Sequence, residues 1–275
     1  MLNLFRKKAF GLDICDTSVT ACQLKKGGNI IKVVAFGRVE LEPGIVEDGR
    51  ILDKKRLIKA VHELILKTKP ERIKTTNLIA SIPESRIFTH VFEFPKSLTK
   101  KQIKGIISTE AEAVIPLSLD EVYYSWQIVN EQEGKKEVFY VSCPKKIVDD
   151  LLDVFKQCKL TPLALDIESA SLARVLKKEY NKNEGVLISD IGGRTTILSI
   201  FDQAGLRFTE NIPIAGNKFT QTLASQLNLN LKEAERKKRK YGFLGKKDGE
   251  DIKKSLESVI EEVVLEMQKV INYYQ

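Results

Sequence analysis

The sequence predicts an α/β protein built from two related halves, with an α+β module set between them, and three observations predict it. A meander of three strands joined by short turns occurs twice, over residues 10–41 and again over 186–214. The first copy is followed by a helical pattern and then by a short apolar strand. Between residues 83 and 160 the pattern changes to a strand, a helix, a hairpin and another helix, a module with its own apolar positions. A unit that repeats in the same order implies two pseudo-equivalent halves facing each other.

The two copies share chemistry as well as order. One reads Phe10-Gly11-Leu12-Asp13-Ile14-Cys15-Asp16-Thr17-Ser18 and the other Val186-Leu187-Ile188-Ser189-Asp190-Ile191-Gly192-Gly193-Arg194-Thr195-Thr196. Each is an apolar strand ending in Asp-Ile, then a turn of mostly small residues, then a second apolar strand. Two carboxylates and two tight turns are thereby expected opposite one another across a cleft. Such a pair suits a nucleoside triphosphate. Small residues let backbone N–H groups approach phosphate oxygens, and an Asp at each strand end can hold Mg²⁺, which prefers one or two carboxylates and keeps several waters. A single turn of this kind is more often a plain hairpin. Two in one context point to paired phosphate loops, with a duplicated structural hairpin as the alternative.

Composition narrows the classes. The chain has 275 residues, 43% hydrophobic and 30% charged, enough for two ordinary domains with real cores. No run approaches the ~20 apolar residues that span a bilayer, and Met1 to Lys8 places its apolar residues before its charges with no apolar stretch after them, unlike a signal peptide. Cys15, Cys22, Cys143 and Cys158 form no Cys-x-x-Cys pair, and His62 and His90 have no ligand-like spacing. A cytoplasmic protein without zinc chemistry is expected. Of the +8 net charge, much sits in Lys232, Arg236, Lys237, Lys238, Arg239, Lys240, Lys246 and Lys247. That run reads as a solvated helix face and a lysine-rich turn; nucleotide contact or an anionic membrane surface are the alternatives. Only Tyr241 and Phe243 accompany it, so a nucleic-acid partner is not expected.

Along the chain, Asp53 caps a helix to Lys67 carrying Leu57, Ile58, Val61, Leu64 and Ile65 at helical spacing. Residues 77–82 read as a buried strand. Meander, helix, strand is the order of one half of a ribonuclease-H-like sheet. In the module, 87–94 is a strand, Thr99 caps a helix to about Val114, 121–130 and 137–142 form a hairpin, and 144–158 is a helix. Its aromatics include Tyr123, Tyr124 and Trp126, read as core pairs or partner contacts. A strand over 163–166 leads into a helix from about Glu168 to Tyr180. Helices follow over 217–227, 232–240 and 251–274, the last with one apolar face.

These features carry a likeness. The two Asp loops, Glu168 opening a helix, and Ile212-Pro213-Ile214-Ala215-Gly216-Asn217 before a helix resemble the actin-like ATPase superfamily that includes FtsA and MreB. Glu110-Ala111-Glu112-Ala113-Val114-Ile115-Pro116, Leu119-Asp120-Glu121-Val122 and Leu160-Thr161-Pro162-Leu163-Ala164-Leu165-Asp166 resemble the pattern of its PilM family, from type IV pilus assembly. The likeness runs from about residue 8 to the end. It implies an actin-like fold divided into residues 1–82 plus 161–184, an inserted subdomain over 83–160, and a second half over 185–275. It implies ATP and Mg²⁺ as ligands, with Asp13 and Asp190 binding the metal through water. Thr17, Ser18, Gly192, Gly193, Thr195 and Thr196 would cradle phosphates, and Gly216, Glu235 and Lys238 would lie near the nucleotide. Glu168 matches a residue that orients attacking water; a glutamate favoured by the helix dipole is the alternative. The implied partner is the N-terminal cytoplasmic tail of a PilN-like inner-membrane protein, bound by the inserted subdomain, with Tyr123, Tyr124 and Trp126 as candidate anchors.

The chain also departs from the superfamily pattern. Cys15 stands where Gly is usual, Asp16 where Ser or Thr is usual, and Thr20 where Lys is frequent, each acting against a bound phosphate. A Gly-rich adenosine loop after the last long helix, with the strand and helix that complete the second half, is expected to be missing. The expected role is a nucleotide-binding scaffold, at most a weak ATPase, reaching the inner membrane through its partner. Alternatives are a small-molecule kinase of the same superfold and an actin-like component of type II secretion or cell division.

Overall fold

A computed structural model describes residues 8–28, 30–132, 134–176, 184–243 and 249–275. The chain divides into unit 1, residues 1–176, and unit 2, residues 177–275.

Unit 1 begins with the first meander, β1 (Phe10–Cys15), β2 (Ser18–Gly27) and β3 (Ile30–Glu40). In β1 the alternate residues Phe10, Leu12 and Ile14 are buried, as a strand with one face on a core requires. A short hairpin follows, β4 (Val46–Glu47) and β5 (Arg50–Ile51), where the sequence reading expected no strand. Its turn, Asp48-Gly49, has positive φ at both residues, 50° and 69°. That backbone matches the twist of a two-residue hairpin and favours Asp-Gly, so the signal was present in the sequence. Asp53 accepts from the Arg56 N–H and starts α1 (Lys54–Lys67), in which Leu57, Val61 and Leu64 are fully buried at helical spacing. After β6 (Lys69–Pro70) and β7 (Asn77–Ile82) the chain enters the module.

The module holds β8 (Phe88–Pro95), α2 (Lys100–Glu112), β9 (Val122–Gln132), β10 (Lys135–Pro144) and α3 (Lys145–Gln157). Thr99 and Gln102 form the reciprocal capping box that starts α2. β8, β10 and β9 make an antiparallel sheet in that order, with Phe92, Phe94, Val138 and Tyr140 of one face against Ile103 and Ile107 of α2. β11 (Thr161–Ile167) then returns as a parallel partner of β7, completing a six-stranded sheet ordered β11-β7-β1-β2-β3-β6. Its core joins Phe10, Leu12, Leu57, Leu64 and Leu78 to Leu151, Val154 and Phe155 of α3. α4 (Glu168–Leu176) leaves that sheet; the expected extension to Tyr180 lies outside the described residues.

Unit 2 repeats the meander as β12 (Val186–Ile191), β13 (Thr196–Asp202) and β14 (Gly205–Ile212), paired antiparallel in that order. Three helices follow: α5 (Gly216–Gln226), α6 (Leu231–Tyr241) and α7 (Glu250–Tyr274). Val263 and Val270 of α7 pack on Leu198, Ile200 and Ile212, while Leu223, Ala234, Ile252 and Leu256 knit the helices to one another. Lys246 and Lys247 lie outside the described residues.

Candidate functional site

The two meander turns differ more than the repeat implied. In unit 1, β1 runs past Asp13 to Cys15, which pairs with Ser18, so only Asp16 and Thr17 form the turn. In unit 2, β12 stops at Ile191 and β13 begins at Thr196, leaving the four-residue loop Gly192–Thr195. The second loop is therefore the longer of the two.

Asp13 lies half-buried on β1, and Ser81 of β7 donates to its carboxylate at 2.6 Å. Asp16 makes contacts that the sequence did not predict. Its carboxylate accepts from the backbone N–H groups of Asp48 and Gly49, at 2.8 and 3.1 Å. Its charge is thus occupied in holding the β4–β5 turn, which Arg86 grips from the other side through Asp48. A Cβ at Gly49 would stand 2.6 Å from Pro83, so the turn also requires glycine on steric grounds. Ser18 is 1% exposed with its Oγ 3.3 Å from Cys15 Sγ, and Thr196 is fully buried and donates to the Ile214 carbonyl. Both hydroxyls are buried and engaged by the protein itself. Thr17 remains half-buried at the turn.

In unit 2 the site residues converge. The Gly192 N–H donates to Thr195 O at 3.0 Å, closing the loop, and a Cβ at Gly192 would lie 2.8 Å from that oxygen. The loop carbonyls of Gly192 and Gly193 accept from the first two N–H groups of α5, Gly216 and Asn217, at 3.0 and 2.7 Å. At Gly216 a Cβ would meet Gly192 O at 3.2 Å, so a side chain there would crowd the loop. Lys238 of α6 reaches back to Gly216 O at 2.8 Å and Thr220 Oγ1 at 2.7 Å, and pairs with Glu235 at 2.7 Å. Asp190, Gly192 and the Gly216–Glu235–Lys238 group thus belong to one continuous segment of unit 2. Thr220 is a member that the sequence reading missed; its place one turn beyond Gly216 on α5 was the available signal.

Burial pushes the Glu235 carboxyl up, but hydrogen bonds from Lys238, Thr220 and Arg239 outweigh it and hold the group at about 2. A carboxylate with a folded value below its ordinary 4.5 contributes stability above that pH and loses it as pH falls towards the folded value. Thermal unfolding followed by circular dichroism is expected to show a loss between about pH 4.5 and 2 that Glu235→Gln removes. The group is partly solvated, so the effect is modest.

A concavity belongs to unit 1. It encloses about 360 Å³ and is lined by Ile82, Tyr123, Gln127, Phe139, Leu165 and Arg174, among others. Tyr123, Ser125 and Gln127 of β9 and Phe139, Val141 and Cys143 of β10 line it with Trp126 and Ser142, whereas Val122, Ile128, Val138 and Tyr140 pack towards α2. Tyr123 borders it, with its hydroxyl 3.2 Å from Asp149 and Lys145 Nζ 5.7 Å above its ring. Trp126 also borders it but packs against the α2-side cluster, with Lys100 over its ring. Tyr124 stacks on Tyr140, away from the concavity. The three aromatics grouped by the sequence reading therefore do not share one surface. At the α4 end, Glu84 is buried and accepts from the N–H and hydroxyl of Ser169; burial pushes its carboxyl up. Glu168, half-buried, is the first residue of α4.

A six-stranded mixed sheet in one unit and a repeated meander in the other, each with an aspartate near the end of its first strand, define the actin-like ATPase class of fold. The family model described as type IV pilus assembly protein PilM matches residues 11–275, and the chain belongs to that family. A solved PilM–PilN type IV pilus biogenesis complex has the same fold, with a TM-score of 0.82 at 21% identity, covering 98% of this chain and 78% of that one. MreB 5 of Spiroplasma citri, bound to AMPPNP, has a TM-score of 0.53 at 17% identity, covering 96% of this chain and 79% of that one. The cell division protein FtsA of Pseudomonas aeruginosa is 29% identical over 126 residues, which is 42% of this chain and 30% of that protein's length. Among the described residues no helix is long and apolar enough to cross a membrane.

Proposed function

We propose that the chain is a nucleotide-binding, actin-like scaffold of type IV pilus assembly, cytoplasmic and held at the inner membrane by the N-terminal tail of a PilN-like protein. The concavity of unit 1 carries this reading. It is a preformed groove with apolar walls, Ile82, Phe139 and Leu165, and polar groups at Tyr123, Gln127 and Arg174, the composition that captures an extended peptide. The complex that shares the fold contains PilM and PilN. On this reading residues 1–82 and 161–184 form the first half, 83–160 the inserted subdomain, and 185–275 belong to the second half.

For the nucleotide, Gly192, Gly193 and Thr195 with Gly216 supply the cradle, since the absence of side chains at Gly192 and Gly216 lets the loop and the start of α5 lie close together. Thr17, Ser18 and Thr196 contribute through the backbone of their turns. Asp13 in unit 1 and Asp190 in unit 2 are each candidates to hold Mg²⁺ through water, and the metal would neutralise phosphate charge. Glu235 and Lys238 fix the α5–α6 wall beside the nucleoside, and Glu168 is the candidate to orient water. The role as a scaffold does not require turnover.

Calorimetry with a PilN-type tail peptide tests the groove. Tyr123→Ala is expected to weaken binding about tenfold, as loss of an aromatic anchor does, while Tyr124→Ala leaves affinity unchanged because its ring lies on the other face. The reverse outcome rejects the groove. A fluorescent ATP analogue is expected to bind in a Mg²⁺-dependent manner that Asp190→Ala abolishes; equal affinity with and without metal rejects the paired-loop reading.

A further inference from the structure

We propose that the outer end of the β2–β3 hairpin is a contact site for an anionic lipid surface. Leu24, Ile30, Ile31, Val33 and Phe36 are 49–66% exposed, five large apolar side chains on one two-stranded ribbon. Isolated apolar residues on a surface need no explanation, but a contiguous group marks an interaction site. Residues 23–37 also contain Lys25, Lys26 and Lys32 and no aspartate or glutamate, and all three lysines are exposed.

The fold explains why this end is uncovered. Nearer the core the same strands are sealed: Ala21 and Ala35 are fully buried, and Gly37 packs under Leu64 and Thr68 at the end of α1. α1 stops at Lys67. On the outer edge, β6 pairs only with Ala35 and Phe36, so β3 has no strand neighbour beside Ile30 to Val33 among the described residues.

The distribution of side chains favours lipid over protein. Directly opposed residues share a face, so Leu24 with Val33 and Lys26 with Ile31 lie on one side. Lys25 with Lys32 and Gly27 with Ile30 lie on the other. Both faces therefore combine apolar groups with cations. A protein partner seated on one face would leave the second exposed, and a second copy pairing through the same ribbon would bring lysines together with no carboxylate from residues 23–37 to answer them. A bilayer interface receives both faces at once. The apolar side chains enter the headgroup–acyl boundary, and the lysines extend their aliphatic stems and place their ammonium groups on lipid phosphates. The inference stands on the hairpin alone and does not depend on the nucleotide or the tail peptide.

The test is co-sedimentation of the full chain with vesicles of phosphatidylcholine alone, and with phosphatidylglycerol making up about a third of the lipid. Binding is expected only to the anionic vesicles and falls when salt is raised from about 0.1 to about 0.5 M. Combined Lys25→Gln, Lys26→Gln and Lys32→Gln should weaken it at least roughly tenfold, and combined Leu24→Ser, Ile31→Ser and Val33→Ser should remove what survives high salt. A separate Leu24→Trp variant, otherwise native, should shift its emission to shorter wavelength on anionic vesicles, which reports insertion even if a triple variant folds poorly. No binding by the wild type overturns the proposal. So does binding that persists in both triple variants, which would place the lipid contact elsewhere, such as on α6. A concentration-dependent dimer abolished by the serine variant, with no vesicle binding, would also overturn it and assign the ribbon to protein pairing through its open edge.

Discussion

Replacing Gly192 by valine is expected to abolish Mg²⁺-dependent nucleotide binding and to lower the melting temperature of unit 2 by several degrees. A Cβ at this position would stand 2.8 Å from the Thr195 carbonyl oxygen, which is backbone and cannot rotate away. The loop closed by the Gly192 N–H would have to open. Its carbonyls anchor the first turn of α5, and Lys238 is fastened to Gly216 in that turn. The disturbance therefore reaches α6 through a chain of hydrogen bonds. Overpacking of this kind costs about 1–3 kcal/mol, and a unit of this size loses roughly 4–8 °C for each kcal/mol. Differential scanning fluorimetry with and without Mg²⁺ and an ATP analogue measures both effects. Wild-type affinity in a variant of lowered melting temperature would separate the loop from nucleotide binding.

The largest loss of stability is expected from Phe155→Ala in unit 1, at about 3–5 kcal/mol. Phe155 is fully buried on α3 and packs with Val154 and Leu151 into the core beneath the six-stranded sheet. Removing the ring leaves a cavity between helix and sheet that neighbouring side chains fill only in part. The same helix carries Val148, one of the residues lining the groove of unit 1. A loosened α3 should therefore also weaken the tail peptide, whereas Gly192→Val leaves that peptide's binding intact. Urea denaturation and peptide calorimetry on the two variants separate the units: each variant should damage one ligand and spare the other.

Local periodicity and local chemistry were legible in the sequence. Alternating burial in β1, the spacing of Leu57, Val61 and Leu64 in α1, and the caps at Asp53 and Thr99 depend on residues within a turn or two of each other. The repeated meander was legible for the same reason, since strand, turn and strand are contiguous. So was the PilM likeness, which the family match over residues 11–275 establishes. The Asp48-Gly49 hairpin was legible in principle and overlooked, because a two-residue strand on either side of a turn carries almost no pattern.

Other assignments needed partners far along the chain. Asp16 looked like a charge set against a phosphate, yet the N–H groups that donate to its carboxylate are 32 and 33 residues away, at Asp48 and Gly49. For Ser18 and Thr196 the sequence could not show that their hydroxyls are engaged within the protein, by Cys15 and by the Ile214 carbonyl. Tyr123 and Tyr124 are both exposed although they point to opposite faces, because the β9–β10 sheet has a groove on one side and only partial cover by α2 on the other. By itself the sequence determined which segments become strands and helices and in what order, since those preferences act over a few residues. The tertiary structure alone decided which polar side chains are engaged by the protein itself and which surfaces stay open, since burial and hydrogen bonding are settled by contacts between segments that only folding brings together.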